Sequence, residues 1–270
     1  MKIEYYCPLW GRESQPFEAF CQNVREAGYD GAEMSLPLEE RERDLRVSAL
    51  KKAGLKLIAQ HWETAHADFS DHKEEYETRL LNLAAAGPEF ISSQTGKDWF
   101  SFEQNRELIA LAGHVTAKTG VRILHETHRS KFSFAAHVTL PFLKKLPGLR
   151  LTLDISHWCS VAESFLEDQE EAVAAALTRT DHIHARVGFP EGPQVPDPFA
   201  PEWTQALERH LFWWDTAVNR ARNEGREVFT ITNEFGPVPY MPIEPYTARP
   251  LADQWEINKK MKALLSSRYR

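Results

Sequence analysis

The chain has 270 residues, 42% of them hydrophobic and 11% aromatic, which is enough material for one domain with a full core. Its net charge of −7 disfavours a protein that works by neutralising phosphates, and no stretch approaches the ~18 apolar residues of a membrane span. The three cysteines, Cys7, Cys21 and Cys159, show no paired spacing, so small-molecule chemistry in a reducing, cytoplasmic setting is the expectation, without nucleic-acid or membrane partners.

The N-terminus, MKIEYYCPLW, has one Lys and no apolar run, and reads as a first strand rather than a signal peptide. From there strand-like runs over 2–7, 31–34, 55–61, 89–93, 121–127, 149–155, 182–187 and 227–234 alternate with amphipathic runs. The spacing predicts helices over 16–27, 41–53, 73–86, 102–119, 134–146, 160–177, 201–223 and 251–265. Gly28, Gly54, Gly87, Gly120, Gly148 and Gly225 each follow a helical pattern and suit left-handed helix ends. Eight βα units predict a (β/α)8 TIM barrel, an α/β fold in a single domain over residues 1–270. The connection 189–200 carries Pro190, Pro193, Pro196 and Pro198 and is a long loop, while EDQEEAVAAAL reads as a solvated helix face.

Barrels of this kind place chemistry at the C-terminal ends of their strands. Strand five ends ILHETH, strand six LTLDISHW, strand seven reads HIHARVG and strand eight ends TITNEFG. Alternation along each strand sets Leu124 with Glu126, Thr152 with Asp154, His182 with His184 and Arg186, and Thr230 and Thr232 with Glu234. The last inward residues are then Glu126, Asp154, His184 and Glu234. Three carboxylates at one point repel one another, and a divalent cation neutralises them directly. The mostly oxygen donor set favours Mn²⁺, with Mg²⁺, Co²⁺ or Zn²⁺ compatible, and leaves positions open for water or substrate. Asp154 has a second reading as a helix N-cap, although Ser156 and Ser160 are better placed for it. His182, one layer deeper, reads as a hydrogen-bonded support. Glu33 and His61, at the ends of strands two and three, read either as polar groups of the pocket or as structural hydrogen bonders. Trp10, Trp62, Trp99 and Phe235 near strand ends offer flat faces that read either as stacking surfaces for a ligand or as packing.

From the GYDGAEM segment to the NEFG of strand eight, the sequence resembles the xylose isomerase-like TIM barrels, which include tagatose 3-epimerase-type enzymes, hydroxypyruvate isomerase and inosose dehydratase. The resemblance implies one Mn²⁺-like ion held by Glu126, Asp154, His184 and Glu234. It also implies a substrate contact from His157 of the D-x-x-H pattern and a substrate-binding role for Arg186. Glu126 and Glu234 would then remove and return a proton on a keto-sugar or polyol, and the fold leaves a homo-oligomer open. One departure is that the epimerases carry a further glutamate where this chain has His128, Arg129 and Lys131. That cationic run keeps elimination from a keto-sugar as an alternative, beside a sugar-binding barrel without catalysis. An endonuclease IV-like trinuclear site would need His61, His157 and two more ligands, where this chain offers Gln94 and Asp197.

Overall fold

Strands β1 (Lys2–Pro8), β2 (Gly31–Met34), β3 (Lys56–His61), β4 (Ile91–Ser93), β5 (Ile123–Glu126), β6 (Leu151–Leu153), β7 (Thr180–His184) and β8 (Val228–Thr232) close in chain order. The computed structural model describes residues 1–270, and every neighbouring pair of strands in it is parallel, with β8 returning to β1 through Lys2↔Val228 to Tyr6↔Thr232. Parallel neighbours need a crossover, and a helix follows each strand to supply it. No helix is long and apolar enough to cross a membrane.

Alternation along the strands sorts the side chains into two cores. Outward residues such as Leu151, Leu153, Ile183 and Ile231 join one apolar cluster of 60 buried residues between sheet and helices. Inward, the apolar set is only Tyr6, Ile58, Phe90 and Leu124, a plug low in the barrel. Gly31 makes room for it, because a Cβ there would stand 2.5 Å from the Tyr6 ring and from the Lys56 carbonyl. Above the plug the interior is polar, beginning with Ser92 Oγ donating to Thr152 Oγ1 at 3.0 Å.

The helices differ from expectation in three places. The run 160–177 is two helices, α6 (Ser156–Ala162) and α7 (Glu170–Arg179), parted by Glu163 and Leu166 at positive φ. A single helix cannot both bury Ser156, His157, Trp158 and Cys159 under the barrel mouth and lay Ala172, Val173, Ala176 and Leu177 on the sheet. For the same reason EDQEEAVAAAL is only half solvated. The helix α3 (Phe69–Ala85) starts earlier than its apolar pattern, because Asp68 accepts the backbone N–H groups of Ser70 and Asp71. Gly148 is not in the left-handed region, unlike the other five glycines read as helix ends, since α5 (Ala136–Lys145) already stops at Leu146, whose φ of −120° and ψ of 81° are not helical.

Candidate active site

Glu126 is the last residue of β5, Asp154 follows β6, His184 ends β7 and Glu234 lies two residues past β8. All four side chains are buried, and one ligating atom from each lies within 4.8 Å of those of the others. The backbone beneath them is pinned: the Thr127 hydroxyl donates to the Asp154 carbonyl at 2.9 Å, and Ser133 Oγ donates to the Glu126 carbonyl at 2.5 Å.

The side-chain bonding around this point is incomplete in a definite pattern. Glu126 Oε2 and His184 Nδ1 are buried without hydrogen-bond partners. The Nδ1 atom approaches Glu234 Oε2 at 2.9 Å and Glu126 Oε1 at 3.4 Å, but without the geometry of a hydrogen bond. Glu234 Oε1 accepts from Gln60 Nε2 at 3.1 Å. Asp154 Oδ1 accepts from Ser156 N and Oγ at 3.1 and 2.5 Å, and its Oδ2 contacts the Arg186 guanidinium. The N-cap position of α6 is Ile155, without a side-chain cap, so Asp154 precedes the cap; it takes the Ser156 N–H with one oxygen and reaches the centre through the oxygen that Arg186 touches.

Burial pushes the Glu126 carboxyl up to about 7, and the neighbouring Glu234 and Asp154 reinforce it against the pull of His184. Burial likewise raises Asp154, opposed by Arg186. At His184 burial alone favours the neutral ring, yet Glu234, Glu33 and Glu126 outweigh it and raise its pKa well above the ordinary imidazole value. The carboxylates thus demand a positive charge at this spot, whether a proton or a cation. Three carboxylates and one imidazole aimed at one small volume, with Glu126 Oε2 and His184 Nδ1 among their atoms left without partners, fit a divalent ion.

Above the cluster opens a cavity of about 490 Å³. Trp10, Glu126, His128, Arg186 and Glu234 line it, whereas His157, Asp154 and His184 lie outside its lining. His157 is fully buried on α6, where its Nε2 accepts from Arg186 Nη2 at 2.7 Å and its ring packs 4.0 Å from His128. Arg186 is held between Asp154 and His157, with its guanidinium 4.7 Å from the Tyr240 ring and 5.8 Å from that of Trp10. Gly236 admits Trp10, because a Cβ there would come within 2.2 Å of the indole.

Glu33 and His61 do not line the cavity. His61 points to the helix side, its ring nitrogens 3.1 Å from Ser93 Oγ and 2.8 Å from Thr64 Oγ1. Glu33 sits inside the barrel under His184, and Thr232 Oγ1 donates to it at 2.5 Å. The residue that β3 does present is Gln60, one position before His61 and in step with inward Ile58. Strand alternation contained that signal, but no inward anchor in strand three set its phase. Tyr240, on the loop after β8, had no periodic signal at all.

The cationic run after β5 disperses. Only His128 lines the cavity, Arg129 stacks over Tyr240 at 5.0 Å, and Lys131 turns inward and is buried. Burial holds the His128 pKa down to about 3, with Arg186, Lys131 and Arg129 adding to it, and its Nδ1–H donates to the Arg129 carbonyl at 2.5 Å. His61 and Asp197 take part in no cluster of three or more metal-ligating side chains.

No protein-family model and no curated protein matches this sequence. Solved structures of xylose isomerase-like and sugar phosphate isomerase/epimerase proteins nevertheless share this fold over nearly the whole chain. A 3-keto-D-glucoside 4-epimerase from E. coli superposes with a TM-score of 0.63 at 15% identity, covering 98% of this chain and 100% of that one. A probable 3-DHS dehydratase from Bacillus anthracis gives 0.59 at 20% identity over 98% and 99% of the two chains. Endonuclease IV from Thermus thermophilus gives 0.60 at 14% identity over 99% and 100%. At these identities the likeness is one of fold.

Proposed function

We infer that this protein is a divalent-metal-dependent isomerase or epimerase of a keto-sugar or related polyol. One observation carries the reading: four buried ligating side chains from four consecutive strand ends converge within 4.8 Å and leave Glu126 Oε2 and His184 Nδ1 unpartnered. Glu126, Asp154, His184 and Glu234 would hold the ion, with Mn²⁺ preferred. A bound divalent cation supplies the positive charge that polarises a carbonyl and makes the adjacent C–H acidic.

The rest belongs to the protein. Glu126, on the cavity wall with one oxygen left without a partner, accepts the proton α to the carbonyl. Glu234, steadied by Gln60, delivers a proton to the opposite face for epimerisation or to the neighbouring carbon for isomerisation. Arg186 sets a fixed positive charge beside the oxygen that gains negative charge, as an oxyanion site does. Trp10 and Tyr240 offer apolar faces to the ring and exclude water. The likeness to a 3-keto-D-glucoside 4-epimerase supports a keto-sugar substrate. Elimination would need an acid for the leaving group, and His128 is neutral at pH 7 with its ring proton committed to Arg129, which favours isomerisation.

Incubating the Mn²⁺-loaded protein with a panel of ketoses in D₂O tests this. Deuterium entering α to the carbonyl without loss of water is the expected result. A water-loss product would replace it with the lyase reading, and no exchange with metal bound would leave a sugar-binding barrel.

A further inference from the structure

Glu33 comes from β2, on the far side of the barrel from the four clustered side chains, and it is buried with no path to the cavity. Its two oxygens nevertheless end on β7. His184 Nε2 lies 2.9 Å from Oε1, and His182 Nε2 lies 3.1 Å from Oε2. Thr232 Oγ1 approaches Oε2 at 2.5 Å, and on the other edge of His182, Nδ1 lies 2.7 Å from Thr230 Oγ1 and 3.0 Å from the Thr230 carbonyl.

A carboxylate at Glu33 sets the protons that face it. His182 Nε2–H donates to Glu33 Oε2, as does the Thr232 hydroxyl, while His182 Nδ1 bonds Thr230 on the other edge of the ring. His184 Nε2–H donates to Glu33 Oε1. Glu33 accepts throughout, so the proton of a neutral His184 belongs on Nε2, and the lone pair of Nδ1, the atom left without a partner, faces Glu126 and Glu234.

We propose that Glu33 is the positioning residue of the metal centre: from across the barrel it fixes the tautomer and tilt of His184 so that Nδ1, and only Nδ1, addresses the cation. The inference rests on the cation site proposed above. The same three side chains, Glu33, His182 and His184, form a cluster with ligating spacing. An ion there would have to replace protons in contacts that are already of hydrogen-bond length, so these three side chains act as hydrogen-bonded support rather than as a second metal site. The role has a chemical logic, since a carboxylate behind a ligating imidazole raises its basicity and locks its orientation.

Glu33→Gln separates this from a purely structural role. A glutamine presents an N–H₂ as well as a carbonyl, so His184 loses its fixed acceptor and can place its proton on Nδ1. Mn²⁺ titrated by calorimetry, well below the unfolding temperature of both proteins, should bind about 10–100-fold more weakly to the variant. Glu33→Asp, which keeps the charge, should recover part of the loss, and the absorption spectrum of Co²⁺-loaded Glu33→Gln should differ from that of the unsubstituted protein. Unchanged Mn²⁺ affinity and an unchanged Co²⁺ spectrum would overturn the proposal while leaving the metal site standing. Failure of the unsubstituted protein to bind Mn²⁺ would overturn both. A second ion per chain whose binding is lost in Glu33→Gln would reassign Glu33 as a ligand and overturn its positioning role. Should the variants not fold, the long-range ¹H–¹⁵N spectrum of the Zn²⁺-loaded unsubstituted protein gives the answer directly: His184 must show Nε2–H and a ligated Nδ1, and the reverse assignment refutes the proposal.

Discussion

On the helix side of β3 to β5, His61, Tyr76, Ser93, Thr95 and His125 form a closed ring of hydroxyls and imidazoles. Tyr76 bonds Ser93 and Thr95 at 3.1 and 3.0 Å, His61 bonds Ser93 and Thr64, and His125 Nδ1 lies 2.7 Å from Thr95 Oγ1. Inside the barrel mouth, Glu126, Asp154, His184 and Glu234 are as deeply buried, yet two of their atoms have no partner. Depth and polarity are common to both groups. The difference lies in satisfaction: a finished network holds the fold together, and an unfinished one asks for something from outside.

The sharpest way to break this comparison is to disable one group and watch the other. Glu126→Gln or Glu234→Gln should lower α-proton exchange on a ketose by about 10²–10⁴-fold, whereas His61→Gln should leave it nearly unchanged, both read by NMR in D₂O. An equal loss from His61→Gln would erase the distinction. Acid should attack the finished ring first through His125, which burial holds down to about 4 from the ordinary 6.5. Because the folded state prefers the neutral ring, the His125 share of stability is full above pH 6.5 and is lost as pH falls toward 4, so urea titrations of the protein and of His125→Gln should change relative to each other by on the order of 3 kcal/mol across that window. The unfinished cluster should respond to metal instead. Mn²⁺ at 100 times its Kd should add about 2.7 kcal/mol to unfolding stability, a gain removed by a chelator and absent in Asp154→Asn. Smallest is Tyr76→Phe, which leaves the Ser93 and Thr95 hydroxyls to each other: a stability cost of about 1–3 kcal/mol, with Mn²⁺ affinity unaltered in calorimetry.

The barrel was legible in the sequence because its period is short and repeated: each βα unit restates the same alternation, and Leu151, Thr152, Leu153 and Asp154 divide between helix side and interior as their pattern requires. The inward register of β5 to β8 was legible for the same reason, since a leucine or threonine sits two residues before each clustered side chain except His184, which follows His182. Strand three lacked such an anchor, so His61 drew attention through its chemistry although Gln60 faces the cavity. Interactions across the barrel were out of reach altogether. Nothing local in GYDGAEM says that Glu33 meets His184 some 151 positions later, because that contact exists only once the sheet closes. The division of α6 from α7 was hidden too, since it depends on where His157 and Trp158 must be buried rather than on helix propensity.

The seam of the barrel has a consequence for synthesis on the ribosome. Trp10 leaves β1 and packs into the space over Gly236 beyond β8, and Gln254 Nε2 donates to the carbonyls of both Trp10 and Phe235 at 2.8 Å. One wall of the cavity is therefore built from two segments far apart in the sequence, one after β1 and one after β8. A nascent chain that has delivered Glu126, Asp154 and His184 still lacks Glu234, the seam and the lock on Trp10, so the cavity wall and the four-residue cluster are completed only once β8 and the segment after it have emerged.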